Sequence, residues 1–370
     1  MEESDPAAIN IGVFVSPRAK PFSPHSVLRP ARVMVSLMLV VLGLNRAAAL
    51  EEESPPTETQ PMPETPGIDT SHTAMSRGVE SAARWLDTFF GGERAYAEAT
   101  GTNLRIGGAS ILRDDGTFEF DHRFRFYLDL PHTRKRLKFL IESDPEEDLP
   151  EIPTGEERKQ GESRGLASNV ADERPNYSAA FRFVLAETQR WSLNLDTGIR
   201  IEIPPNPFAR LRARRTIPLG SWILRLTERV FWFNDDGFGE SSRVDFDQSV
   251  APGFLFRSSS EAIWRDREGE FELSQNLFLF QQITLRQALV YRLGVVGETE
   301  PRLRTTEYGA GVAYRQKIYK EWLYFQVAPE LLFPREEDFR PESRVTFLLE
   351  AIIGGRYTER QEELPGHWIP

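Results

Sequence analysis

The chain has 370 residues, a formal net charge of -11, 40% hydrophobic and 27% charged residues, and a mean hydropathy of -0.43. Such an average excludes a polytopic helical membrane protein, and the acidic balance gives no basis for nucleic acid binding. Cysteine is absent and the five histidines (His25, His72, His122, His132, His367) lack ligand spacing, so disulfides, thiol catalysis and cysteine zinc sites fall away and no metal or cofactor is expected.

Residues 1–49 read as a leader and signal peptide. Arg29 and Arg32 precede an apolar run over 33–44, and Ala47, Ala48 and Ala49 supply small residues for cleavage after Ala49. An uncleaved signal anchor is the alternative, but the run is short of the ~20 residues that span a bilayer. Residues 50–75 are rich in Glu, Pro and Thr, which leaves too little apolar surface to fold and predicts an acidic linker. Over 76–100 the pattern predicts a periplasmic amphipathic helix and a connector. Val79, Ala82, Ala83, Leu86, Phe89 and Phe90 recur at helical spacing, and Gly91 and Gly92 stop the run.

Strand patterning begins at Thr102. From 118 to 130, Phe118, Phe120, Phe124, Phe126, Leu128 and Leu130 share one face, while Glu119, Asp121, Arg123, Arg125, Tyr127 and Asp129 share the other. Strands are predicted at 102–113, 117–130, 135–143, 177–187, 190–203, 208–216, 221–233, 240–250, 253–265, 270–281, 285–296, 305–316, 321–333 and 343–354. That is about fourteen, with twelve or sixteen as the alternatives. In the seventh, Glu228 falls in phase with Trp222, Leu224, Leu226, Val230 and Trp232, which predicts either a charge on the apolar side or a bulge.

The links alternate in character. Those at 114–116, 144–176, 234–237, 266–269, 297–301 and 334–341 are polar and on the whole longer; those at 217–220, 250–253 and 281–282 are tight. Long strands with one apolar and one charged face, joined by alternating long and short links, predict an all-β fold. The predicted architecture is a transmembrane antiparallel up-and-down barrel over 101–355, with a polar tail over 356–370. A large soluble sandwich is the alternative, disfavoured by the number and length of the strands.

On these residues the region 102–355 resembles Gram-negative outer-membrane β-barrels of porin-like size, with no characterised subfamily matched. The resemblance implies residence in the outer membrane, lipid as a partner and insertion by the barrel-assembly machinery. One departure concerns the terminus: such barrels often end on an aromatic residue, whereas here Gly354, Gly355 and a polar tail follow 345–353. Either the insertion signal is internal or the last strand lies elsewhere. The stripe over 76–90 then has three places to pack, namely the barrel mouth, the membrane interface or a periplasmic protein.

The charged phase holds the candidate functional residues. Arg210, Arg212 and Arg214 succeed one another on one strand, flanked by Arg200 before and by Arg225 and Arg229 after, so six guanidinium groups are expected to line one wall of a pore. Glu119, Asp121, Asp245 and Asp247 are the acidic pore-lining counterparts, with Glu261, Glu272, Glu307, Glu330 and Glu350 in the same phase. Opposed walls of opposite sign would set up a transverse field; mutual pairing would fill the lumen instead. Catalysis is not expected, because His122 is the one histidine in a strand core, and it shares the lipid-facing phase with Ser110, Ser242 and Ser258 without a spacing that joins them. The acidic link at Asp144, Glu146, Glu147 and Asp148 lacks a calcium motif. Two functional readings follow: a passive channel for small hydrophilic, anionic solutes, or a plugged structural barrel that recruits a periplasmic partner through its N-terminal helix.

Overall fold

The computed structural model describes residues 102–130, 136–143, 177–188, 190–299 and 302–354, together with Val79, Ala82, Ala83, Trp85, Phe89 and Phe90. The signal peptide and its cleavage site, the acidic linker, the link at 144–176 and the C-terminal tail lie outside the described residues.

Fourteen strands are present. The first seven are β1 (Asn103–Arg113), β2 (Phe118–Asp129), β3 (Leu137–Ser143), β4 (Tyr177–Glu187), β5 (Trp191–Arg200), β6 (Asn206–Leu219) and β7 (Trp222–Phe233). They are followed by β8 (Gly237–Ala251), β9 (Phe254–Arg265), β10 (Phe271–Thr284), β11 (Gln287–Glu298), β12 (Arg304–Tyr319), β13 (Leu323–Pro334) and β14 (Glu342–Gly354). Each pairs antiparallel with its chain neighbours, and β1 pairs with β14 from Asn103↔Gly354 to Arg113↔Arg344, closing a barrel. The last strand therefore lies where the pattern predicts it. Closure removes every sheet edge, the condition for strands to stand in hydrocarbon.

The alternation of the sequence becomes the two faces of the wall. On β9, Leu255, Arg257, Ser259 and Glu261 point inward and are buried, whereas Phe254, Phe256, Ser258 and Ser260 look outward. On β2 the outward Phe118 and Phe120 are 64% and 66% exposed. A strand such as β7, with 12 residues, rises ~40 Å along its length and ~30 Å across a membrane when tilted by ~40°, enough to cross the ~25 Å apolar band of such barrels.

Among the described residues the links alternate as expected, with three corrections, one of them at 250–253, where Val250 and Ala251 belong to β8 and Pro252 and Gly253 alone make the turn. The turn expected at 217–220 is narrower, because Ile217, Pro218 and Leu219 still pair with Leu224, Ile223 and Trp222. Gly220 and Ser221 make the turn alone, and Gly220 has the positive φ of 65° that such a turn requires. The turn expected at Gln281-Gln282 lies further on, at Leu285 and Arg286, since Gln281 and Gln282 pair with Leu289 and Ala288 before an irregularity at Ile283 extends the strand. β7 carries no bulge: its pairing with β8 runs unbroken from Trp222↔Gln248 to Phe233↔Gly237, which leaves Glu228 on the outer face. At the long-link end, the Asp114 carboxylate accepts the Ser343 amide at 2.9 Å and ties the β1–β2 turn to β14. Beside it the Asp115 carboxylate accepts the Thr117 amide at 2.7 Å, and this hydrogen bonding holds its pKa below the usual aspartate value.

Two apolar clusters lie inside the barrel. The smaller joins Tyr127, Leu140, Ala180, Phe208 and Phe233. The larger sits toward the tight-turn end and joins Ile223, Leu255, Phe278, Phe280, Ala288, Val290, Ala313, Tyr324 and Ala328 to Val79, Ala82, Ala83, Trp85, Phe89 and Phe90. Phe89 meets the Tyr324 ring edge-on at 5.9 Å, Phe90 meets Phe280 at 5.8 Å, and Trp85 stacks on Phe89 at 4.8 Å. The five described residues of the predicted stripe, Val79, Ala82, Ala83, Phe89 and Phe90, and their neighbour Trp85 are thus at most 3% exposed and rest against the inner wall.

Candidate functional site

Inward-facing charge dominates the wall away from the apolar cluster, and it is organised in a repeating way. Six carboxylates each lie between two arginines. Glu142 is approached by Arg125 and Arg210, Asp196 by Arg182 and Arg210, and Asp247 by Arg225 and Arg257. Glu261 is approached by Arg229 and Arg243, Glu330 by Arg292 and Arg344, and Glu350 by Arg105 and Arg315. The contacts are mostly charge-assisted hydrogen bonds: Arg182 Nε donates to Asp196 at 2.7 Å and Arg257 Nε to Asp247 at 2.6 Å. Such pairing keeps charges in an enclosed wall, where an uncompensated ion is strongly disfavoured.

The expected pore-lining residues divide between this lattice and its rim. Arg210, Arg225, Arg229 and Asp247 belong to it, and Asp245 adds a contact to Arg225 at 3.7 Å. Arg212 and Arg214 are buried beside them on β6, and Arg212 stands directly across from Arg229 in the β6–β7 register. Arg200 sits at the long-link end of β5, where it pairs with Asp236 at 3.2 Å and covers the Phe233 ring at 3.7 Å. Glu119 and Asp121 pair locally with Arg113 at 3.3 Å and Arg123 at 3.4 Å. The basic and acidic groups are therefore interleaved strand by strand and pair with one another, the second of the two arrangements the sequence left open, and do not form opposed walls. Arg105, Arg182, Arg243, Arg257, Arg292, Arg315 and Arg344 were missed, although each falls in the inward phase of its strand; the alternation alone marks them.

The outward face differs. His122 Nε2 lies 2.5 Å from the Tyr177 hydroxyl in a cavity of about 410 Å³ lined by Ile106, Phe124, Ile141 and Ile201. Neither Ser242 nor Ser258 is its partner: Ser242 donates to Glu228 at 2.8 Å, and Ser258 accepts from Gln275 at 3.1 Å. The acidic link considered for calcium lies outside the described residues.

A closed fourteen-stranded wall, apolar without and charged within, is stable only with lipid around it and water or paired ions inside. Among the described residues the chain is a closed antiparallel β-barrel of fourteen strands. No protein-family model and no curated protein matches it. Solved structures of similar shape include OprB of Pseudomonas putida, with a TM-score of 0.45 and 9% identity over 70% of this chain and 96% of that one. OccK1 of Pseudomonas aeruginosa gives 0.39 and 11% over 68% and 98%. The outer-membrane channel DcaP of Acinetobacter baumannii gives 0.38 and 8% over 68% and 98%.

Proposed function

We propose that the barrel resides in a Gram-negative outer membrane as a passive channel for small hydrophilic solutes, that its interior favours anions, and that Val79, Ala82, Ala83, Trp85, Phe89 and Phe90 close it at the tight-turn end. The observation that carries the reading is the concentration of arginine on the inner wall of β6 and β7, where Arg210, Arg212, Arg214, Arg225 and Arg229 are all buried. Guanidinium groups stay charged at any working pH, and clustered in a confined lumen they raise the local concentration of anions. Closure is supported by the burial of Val79, Ala82, Ala83, Trp85, Phe89 and Phe90 on an apolar stretch of the inner wall. The same burial weighs against recruitment of a periplasmic partner through these residues, because their apolar side chains are already covered. Insertion by the barrel-assembly machinery belongs to this reading.

Planar-bilayer recording tests it. The double variant Phe89→Ser/Phe90→Ser removes two rings from the closing contact and should pass current more readily than the native chain. In that open background, Arg210→Ser/Arg212→Ser/Arg214→Ser should move the reversal potential in a salt gradient toward cations. Absence of current in both the native chain and the opened variant rejects the channel. Current with unchanged selectivity keeps the channel and dismisses this wall as its filter.

A further inference from the structure

The lipid-facing wall is interrupted by a polar strip on β7–β10, four strands that neighbour one another in the barrel. Glu228 on β7 and Glu240 and Ser242 on β8 form one half; Ser258 and Ser260 on β9 and Gln275 on β10 form the other. All six face outward and are partly exposed. Register brings them together: Glu228 faces Ser242, Val244 faces Ser260, and Ser260 faces Gln275. Hydrogen bonds knit each half, Ser242 donating to Glu228 at 2.8 Å, Ser260 donating to Gln275, and Gln275 donating to Ser258 at 3.1 Å. One atom is left over. The Glu240 Oε1 is buried and has no hydrogen-bond partner.

Glu240 is the fourth residue of β8, and the rest of the strip stands further from the strand ends. Along β7, Glu228 is flanked outwardly by Leu226 and Val230; on β9, Ser258 and Ser260 lie between Phe256 and Ala262; on β10, Gln275 lies between Leu273 and Leu277. Carboxyl, hydroxyl and amide groups within the hydrocarbon band are disfavoured toward lipid and characteristically face other protein. Small residues, here Ser242, Ser258, Ser260 and Ala262, allow two walls to approach closely.

We infer that this strip is the contact between two copies of the chain, related by a twofold axis along the membrane normal. The choice of a second copy follows from the order of the groups around the wall. A twofold axis near the β8–β9 pair sets the acidic half of one barrel against the hydroxyl and amide half of the other, so Glu228 and Glu240 meet donors from Ser258, Ser260 and Gln275 of the second copy. The arrangement is self-complementary, as a twofold contact requires.

The absence of native cysteine makes the test direct, because a single introduced thiol can pair only between copies. The full chain in lipid nanodiscs should have the mass of two copies. Ser242→Cys, near the axis, should form a disulfide-linked dimer on mild oxidation, whereas Leu349→Cys, outward on β14 and 50% exposed, should not. Glu228→Leu/Glu240→Leu should self-associate at least tenfold more weakly, about 1.4 kcal/mol, while keeping the heat-modifiable gel mobility of a folded barrel. A monomer throughout, a trimer, or equal cross-linking from both cysteine positions would overturn the inference, as would folded double-leucine dimers of native affinity. None of these outcomes depends on whether the barrel conducts.

Discussion

Glu350 offers the sharpest test of the interior lattice. It is 1% exposed, stands on β14, and receives Arg105 from β1 and Arg315 from β12, so one carboxylate neutralises two buried cations across the strand pair that closes the barrel. Glu350→Gln keeps the shape of the side chain and removes its charge, taking the carboxylate from Arg315, which keeps the Gln326 amide oxygen and the Tyr324 ring. Breaking a buried pair in this way costs about 3–5 kcal/mol. Arg315→Gln in the native chain leaves Glu350 on Arg105 and forfeits one charge-assisted contact, about 1.5–3 kcal/mol. The two changes are coupled, and the coupling has a definite sign: Arg315→Gln should cost less in the Glu350→Gln chain than in the native chain, because there its carboxylate is already gone. Urea unfolding of the barrel in lipid vesicles, followed by tryptophan fluorescence and by heat-modifiable gel migration, measures all four corners of the cycle. The reasoning fails if Arg315→Gln is destabilising by the same amount in both backgrounds.

Further outcomes follow from other parts of the wall. Phe124→Asp places a charge toward lipid and should destabilise by about 2 kcal/mol or more, whereas Arg125→Ser, on the inward phase of the same strand, should be tolerated; equal loss in the same unfolding assay would contradict the assignment of faces. Gly198→Leu should prevent stable folding, since a Cβ at that position would lie 2.2 Å from the Ala179 carbonyl oxygen and 2.7 Å from Ala180; a heat-modifiable band of native mobility would refute this. The lowered Asp115 pKa means that the turn's hydrogen bond to Thr117 is present at neutral pH and is lost as pH falls through that lowered value. The Thr117 amide shift should accordingly titrate below the ~3.9 of a free aspartate, and a midpoint at or above that figure would dismiss the bond.

Most of the fold could be read from alternation, because a closed barrel needs little more than two faces and turns. The strand ends were less legible. Pro218 and the Gln281-Gln282 pair resemble turn residues, yet cross-strand pairing carries both into ladders. Within the site, phase marked Arg210, Arg225 and Arg229 and the acids Asp247, Glu261, Glu330 and Glu350 as inward, but not which of them meet, since those meetings depend on register between distant strands. Arg105 and Glu350 are 245 residues apart, Arg210 and Glu142 68 apart. The stripe at Val79, Ala82, Phe89 and Phe90 was visible as a stripe, but a periodicity shows only that a face needs cover. The outer polar strip was glimpsed in Glu228, Ser242 and Ser258 as isolated departures, and only pairing joins them.

The burial of Val79, Ala82, Ala83, Trp85, Phe89 and Phe90 against the inner wall has a bearing on assembly. β14 is the last strand in the chain and the one that completes the circle against β1. Until it docks, the sheet is open and the apolar inner surface of β9–β13, with Leu255, Phe280, Val290 and Tyr324, has no enclosure. A segment that precedes β1 has already emerged by then and can lie on that surface while the side of the cylinder is still open, with no need to thread through a finished mouth. On the proposed reading, the six side chains that close the lumen would then also cover this apolar stretch before β14 pairs with β1.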